Sequence, residues 1–125
     1  MQNKPFRFGP VALTDTLTTN ILNPAVTSLA GPVGITLSQP YILLHHIFIL
    51  NKTASPATFS LWIGATGANA AGTEFWGTAM NVPANSGVHY YAARGVRLDA
   101  ADFLVGGASA ATTLTIHGEG EVGFS

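Results

Sequence analysis

The sequence predicts an all-β chain, an antiparallel β-sandwich of jelly-roll type with an extended N-terminal arm. Three observations predict it. Short runs rich in Val, Ile, Thr and aromatic residues alternate with clusters of Gly, Pro, Asn and Ser, the pattern of strands and turns. No stretch of useful length carries the apolar period of a helix. The 125 residues leave room for one core, because domains cluster at roughly 100 to 150 residues.

Residues 6–13 and 15–22 read as extended segments, and Asn23-Pro24 and Gly31-Pro32 bound an irregular stretch with a weak strand at 35–37. Pro5, Pro10, Pro24, Pro32 and Pro40 mark residues 1–40 as an arm with the first strands, lying along the domain or reaching a neighbour. Residues 41–125 form the sandwich body of what is one domain overall. Within it, 41–51 is a long strand whose alternating sets, Leu43/His45/Ile47/Ile49 and Leu44/His46/Phe48/Leu50, are both apolar, so both faces are expected to be covered. Residues 58–64 alternate Phe59, Leu61 and Ile63 against Thr58, Ser60 and Trp62, which predicts one buried and one wet side. A small-residue loop (64–72), an extended segment (73–82), the turn Pro83-Ala84-Asn85-Ser86-Gly87 and a strand at 88–92 follow. Asp99-Ala100-Ala101-Asp102 is a tight turn, a strand resumes at 103–105, and 112–124 closes the chain with Leu114 and Ile116 inward and Thr113, Thr115 and His117 outward. About eight short strands at regular spacing suit a sandwich.

Charge sets the function classes. Lys and Arg number 5 and Asp and Glu 6, so 9% of the chain is charged where about 25% is usual, against 47% hydrophobic. A 13.0 kDa monomer exposes roughly 6,300 Å² and normally covers it with many more charges. Thr, Ser and Asn, together with burial against other subunits, are expected to cover it instead. A net charge of −1 provides no basic field for a polyanion, so no nucleic acid is expected as partner. The longest apolar run, 41–50, is broken by two histidines and falls far short of the roughly 20 residues that span a bilayer, so no membrane is expected either. The opening Met1-Gln2-Asn3-Lys4-Pro5-Phe6-Arg7 has no apolar signal core, which predicts use without secretion. With no cysteine, disulfides and thiolate metal sites are impossible.

The chemistry-bearing residues favour non-catalytic readings. His45 and His46 are neighbours and point to opposite faces of a regular strand, so a shared ion needs His89 or His117 beside one of them, or three copies of one histidine on a three-fold axis. Hydrogen-bonded structural histidines or intersubunit contacts are the expected roles, with no metal and no cofactor. Gly67-Ala68-Asn69-Ala70-Ala71-Gly72-Thr73 has the glycine spacing of a phosphate loop but lacks its lysine and its strand-to-helix context. Asn51-Lys52-Thr53 matches a glycosylation acceptor by accident. Asp99 and Asp102 suit the ends of a turn, and Glu119 and Glu121, two apart on a strand, share a face toward water. No catalytic residue is assigned. Trp62, Trp76, Tyr90 and Tyr91 would suit a sugar-stacking platform or, with more weight, the aromatic anchors of a protein interface.

Residues 45–123 run from HHIFILNKTASPATFSLWIG through NVPANSGVHYY to GVRLDAADFLVGGASAATTLTIHGEGEV. This order of strand, Ser/Pro turn, alternating strand, Leu-Asp-Ala-Ala-Asp-Phe-Leu hairpin and closing Thr-rich strand resembles small β-sandwich virion proteins of tailed bacteriophages, in particular capsid decoration (cement) proteins. The resemblance covers about two thirds of the chain. It implies a homo-oligomer, a trimer favoured, located in the virion, that clamps the major capsid protein or another virion protein without an active site. A receptor- or glycan-binding module of a tail or fibre is the alternative. The expected interface residues are Phe6, Arg7 and Phe8 on the arm, Leu44, His46, Phe48 and Leu50 on the long strand, and Trp62 and Trp76.

Overall fold

The structure, a computed structural model, describes residues 4–24, 40–67 and 69–124. Eight strands occur in the order β1 (Lys4–Ala12), β2 (Asn20–Leu22), β3 (Pro40–Asn51), β4 (Ala57–Gly64), β5 (Met80–Val82), β6 (Gly87–Leu98), β7 (Phe103–Ala108) and β8 (Leu114–Phe124). They form two four-stranded antiparallel sheets, β1-β8-β3-β6 and β2-β7-β4-β5, so the chain is the β-sandwich expected. The first strand pairs with the last, the second with the seventh, the third with the sixth and the fourth with the fifth. The N-terminal segment lies along the domain as an edge strand on β8. The weak strand expected at 35–37 falls outside the described residues.

The core lies between the sheets. Ile42, Leu44, Ile47 and Ile49 of β3 and Leu114 and Ile116 of β8 meet Leu22, Phe59, Leu61 and Leu104 of the second sheet, all 1% exposed or less. Phe8 joins them at 4% exposed.

Two extended segments are shorter than the sequence suggests. Residues 15–19 form a turn, where Thr19 donates its N–H to the Thr16 carbonyl at 3.3 Å and the Thr14 and Thr19 hydroxyls lie 2.6 Å apart. Threonine favours strands when its side chain packs on a sheet, but its hydroxyl also bonds locally, and here the local bonds prevail. The segment 73–79 follows β4 irregularly: Phe75 bonds the Leu61 carbonyl at 2.8 Å, while Trp76 (φ 74°) and Ala79 (φ 49°) turn left-handed and interrupt the ladder.

Turns are pinned by side chains that the residue types anticipate. Asp102 donates its N–H to the Asp99 carbonyl at 2.9 Å and returns a carboxylate oxygen to the Asp99 N–H at 3.0 Å. Asn23, fully buried, donates to the Ala100 and Asp102 carbonyls at 3.0 and 2.6 Å, fixing the end of β2 against that turn. Asn51 is also fully buried and donates to the Ser55 and Val82 carbonyls at 2.8 and 3.1 Å. Its Oδ1 accepts the Thr53 N–H and hydroxyl at 2.9 and 2.7 Å, so the acceptor-like Asn-Lys-Thr is a structural clamp.

Candidate protein-interaction face

One irregularity determines the surface of the first sheet. Between Leu44 and His46 the register of β3 shifts: β8 passes from Gly120 to Glu119 with no residue between, while β6 passes from Val96 to Tyr91. His45 is therefore an extra residue on β3, a bulge, and the side-chain alternation restarts after it. The inward set becomes Ile42, Leu44, Ile47 and Ile49, and the outward set Leu43, His45, His46, Phe48 and Leu50. This corrects the regular alternation read from the sequence. It also places adjacent histidines on one face, which an unbroken strand forbids.

The neighbours have been shaped to admit the bulge. Gly120 lies opposite Leu44, and a Cβ there would fall on the Leu43 carbonyl oxygen; Gly95, at φ +81°, sits under the His45 ring. The Gly118-Glu119-Gly120-Glu121 spacing is the visible trace of this in the sequence: glycines point into the sheet packing, glutamates outward. Those glutamates do not look only to water, as expected from the sequence. Glu121 Oε2 lies 2.9 Å from His45 Nε2, and Glu119 Oε1 3.6 Å from His46 Nδ1.

Rings cover the middle of the face. His46 Nε2 and His89 Nδ1 share a hydrogen bond of 2.8 Å, so at least one of the two rings is unprotonated at that nitrogen. Tyr91 stacks on His46 with ring centres 4.7 Å apart, and Phe48 lies 4.5 Å from His89 and 5.1 Å from His117. All four histidines thus sit on one sheet face. At its far end Arg97 lies 4.1 Å over the Tyr41 ring and holds Asp99 at 2.6 Å. Among the described residues no group of three or more His, Asp or Glu is arranged to hold a metal ion.

The expected interface residues divide on this geometry. His46, Phe48 and Leu50 lie on the outer face, with Leu50 37% exposed, and Arg7 is exposed across from Glu119. Leu44 and Phe8 belong to the core, because the bulge turns the first inward and pairing of β1 with β8 turns the second inward. Phe6 is partly buried and stacked on Phe8 at 6.2 Å, so the arm residues are mostly structural. Trp62 is 6% exposed and packs with Phe103 and Val105, and Ser60, 6% exposed, takes the Ala79 N–H at 2.8 Å. The side of β4 expected to be wet is therefore covered, and Trp62 is neither a sugar platform nor an interface anchor. Trp76 closes the core edge-on to Phe59 at 4.8 Å. Sequence reasoning marked the strand from Leu43 to Leu50 for contact and the histidines for structural or intersubunit roles, but it could not group His45, His46, His89 and Tyr91 on one face; the bulge that does so has only the Gly-Glu-Gly-Glu spacing as its signal.

A shallow depression of about 290 Å³ opens on the other sheet, lined by Asp15, Leu17, Thr58, Ser60 and Ser109. Ser60 and Ser109 already accept backbone N–H groups, which leaves the Asp15 carboxylate and the Thr58 hydroxyl as its other polar groups. No family model matches the chain, and no curated protein is significantly similar to it in sequence.

Proposed function

We propose that the protein is a non-enzymatic structural subunit of a phage virion, a capsid decoration or cement protein that acts by protein–protein contact with itself and with a shell protein. The strand order β1-β8-β3-β6 and β2-β7-β4-β5 supports a jelly-roll reading of the sandwich. The observation that carries the reading is the composition of an otherwise ordinary surface. The chain exposes 6209 Å², close to the roughly 6,300 Å² of a compact monomer of this mass, yet only 9% of its residues are charged. The outer side of β3 from Tyr41 to Leu50 presents rings and leucines, with Glu119, Glu121 and Arg97 beside them, an apolar centre with a charged rim that suits an interface. Immunogold microscopy of particles from cells carrying the chain in its native genome tests this. Label on heads is expected; label confined to cell debris overturns it.

A second reading, a glycan- or receptor-binding module of a tail or fibre, rests on Tyr91, 72% exposed with its ring flat against His46 and His89. A glycan array with the wild type and Tyr91→Ala decides it. Binding abolished by the substitution supports the module; no binding removes it.

A further inference from the structure

The two sheets have four edges, and they are not equally protected. β1 carries Pro5 and Pro10 and a register break between Phe8 and Val11. β2 and β5 have 3 residues each. Prolines, bulges and short length are the usual devices that stop an edge from pairing with another chain. β6 has 12 residues and no proline, and among the described residues its far side pairs with nothing. Its regular part, Gly87-Val88-His89-Tyr90-Tyr91, is uncharged and rich in strand-forming residues.

The backbone phase of this segment follows from its pairing with β3. Asn51 donates its N–H to the Ser86 carbonyl at 2.8 Å, and the register continues as Leu50↔Gly87, Ile49↔Val88, Phe48↔His89 and Ile47↔Tyr90. Hydrogen-bonded and non-bonded pairs alternate in an antiparallel ladder, so Val88 and Tyr90 direct their N–H and C=O groups to β3. Gly87, His89 and Tyr91 direct theirs to the open edge.

We propose that this open edge of β6 pairs with the same edge of a second copy, antiparallel about His89. The segment is complementary to itself in that register. His89 meets its own copy, Gly87 of one chain meets Tyr91 of the other, and Val88 meets Tyr90. A large ring opposite glycine and a large ring opposite a β-branched residue fill the space evenly on both faces. Gly87 is already roofed by Phe48, whose ring occupies the place of a Cβ, so the incoming Tyr91 extends the row of rings on the outer face. The turn ending at Ser86 and the bulge from Ala92 to Gly95 limit pairing to this stretch, which yields a closed two-fold pair rather than a fibre. It is a two-fold contact, distinct from the trimer that the sequence resemblance implies, and it does not depend on the virion reading.

The chain lacks cysteine, so His89→Cys puts one thiol at the axis. Bonded antiparallel pairs hold their Cα atoms about 5.5 Å apart, within the range of a disulfide or a short thiol cross-linker. Full-length His89→Cys at micromolar concentration should be trapped as a covalent dimer, while Leu17→Cys, an exposed site in the 15–19 turn, should not. Light scattering should give the wild type twice its chain mass. Tyr91→Pro should keep the fold and give the monomer mass, since the N–H it removes faces the open edge. A monomeric wild type overturns the proposal, as does an assembly that His89→Cys does not cross-link. The cross-link decides the matter alone if Tyr91→Pro fails to fold.

Discussion

Asn51→Ala isolates the contribution of a single buried side chain. Asn51 has no exposed surface and closes four hydrogen bonds, to the Ser55 and Val82 carbonyls and from the Thr53 N–H and hydroxyl. The Val82 bond is fully buried, so truncation strands that carbonyl at about 1–3 kcal/mol. The remaining three are partly exposed and water replaces part of each, which adds roughly 0.5 kcal/mol apiece. The expected loss is about 3 kcal/mol. Unfolding entropy near 2.1 cal/mol/K per residue over 125 residues makes that a fall in Tm of about 11 °C. Urea unfolding followed by circular dichroism should show a lower midpoint at unchanged slope. Thr53→Val, which removes the hydroxyl and with it the bonds to Asn51 Oδ1 and the Ser55 carbonyl, should cost about 1 kcal/mol. A loss below about 1 kcal/mol for Asn51→Ala would refute the clamp, because it would mean that solvent already reaches the Val82 carbonyl.

The bulge phase and the burial of Trp62 are open to the same assay. Ile47→Ala should cost about 3 kcal/mol and Phe48→Ala less, about 1–2 kcal/mol, since one side chain lies in the core and its neighbour is partly exposed on the outer face; equal costs would mean that β3 does not restart its alternation at His45. Trp62→Ala should lower stability by about 3–5 kcal/mol, and near-native stability in that variant would return the residue to the surface.

What was legible in the sequence was the local grammar. The fold class, the number of strands, the Asp99-to-Asp102 turn and the inward Leu114 and Ile116 all follow from period-2 patterning and turn chemistry acting over a few residues. The misread extended segments at 15–19 and 73–79 are broken by local hydroxyl bonds and left-handed residues, whereas the misread faces depend on something far away in the chain. The face that Leu44 or Phe48 occupies is decided by a bulge that exists only because β8 offers Gly120 opposite it. Trp62 looked wet because Thr58 and Ser60 flank it in alternation, but Phe103 and Val105, some forty residues later, pack beside it. The grouping of His45, His46, His89 and His117 is likewise a product of β6 and β8 flanking β3, and no spacing within the chain encodes it.

The composition of the outer face suits the association proposed for it. A sheet that stays wet usually carries Lys and Glu, whose side chains lose up to about 2 kcal/mol of rotamer freedom each when ordered and so resist being covered. Here Glu119 and Glu121 have the His46 and His45 rings beside them, and the remaining surface is filled by Phe48, His89, His117 and Tyr91. Rings have two side-chain torsions, and these already rest on one another at 4.5 to 5.1 Å, so most of their ordering has occurred within the single chain. Covering such a face costs little further entropy. For the proposed contact the scarcity of charge is then a matter of preorganisation: the rings already pack on one another, and the carboxylates already have neighbours.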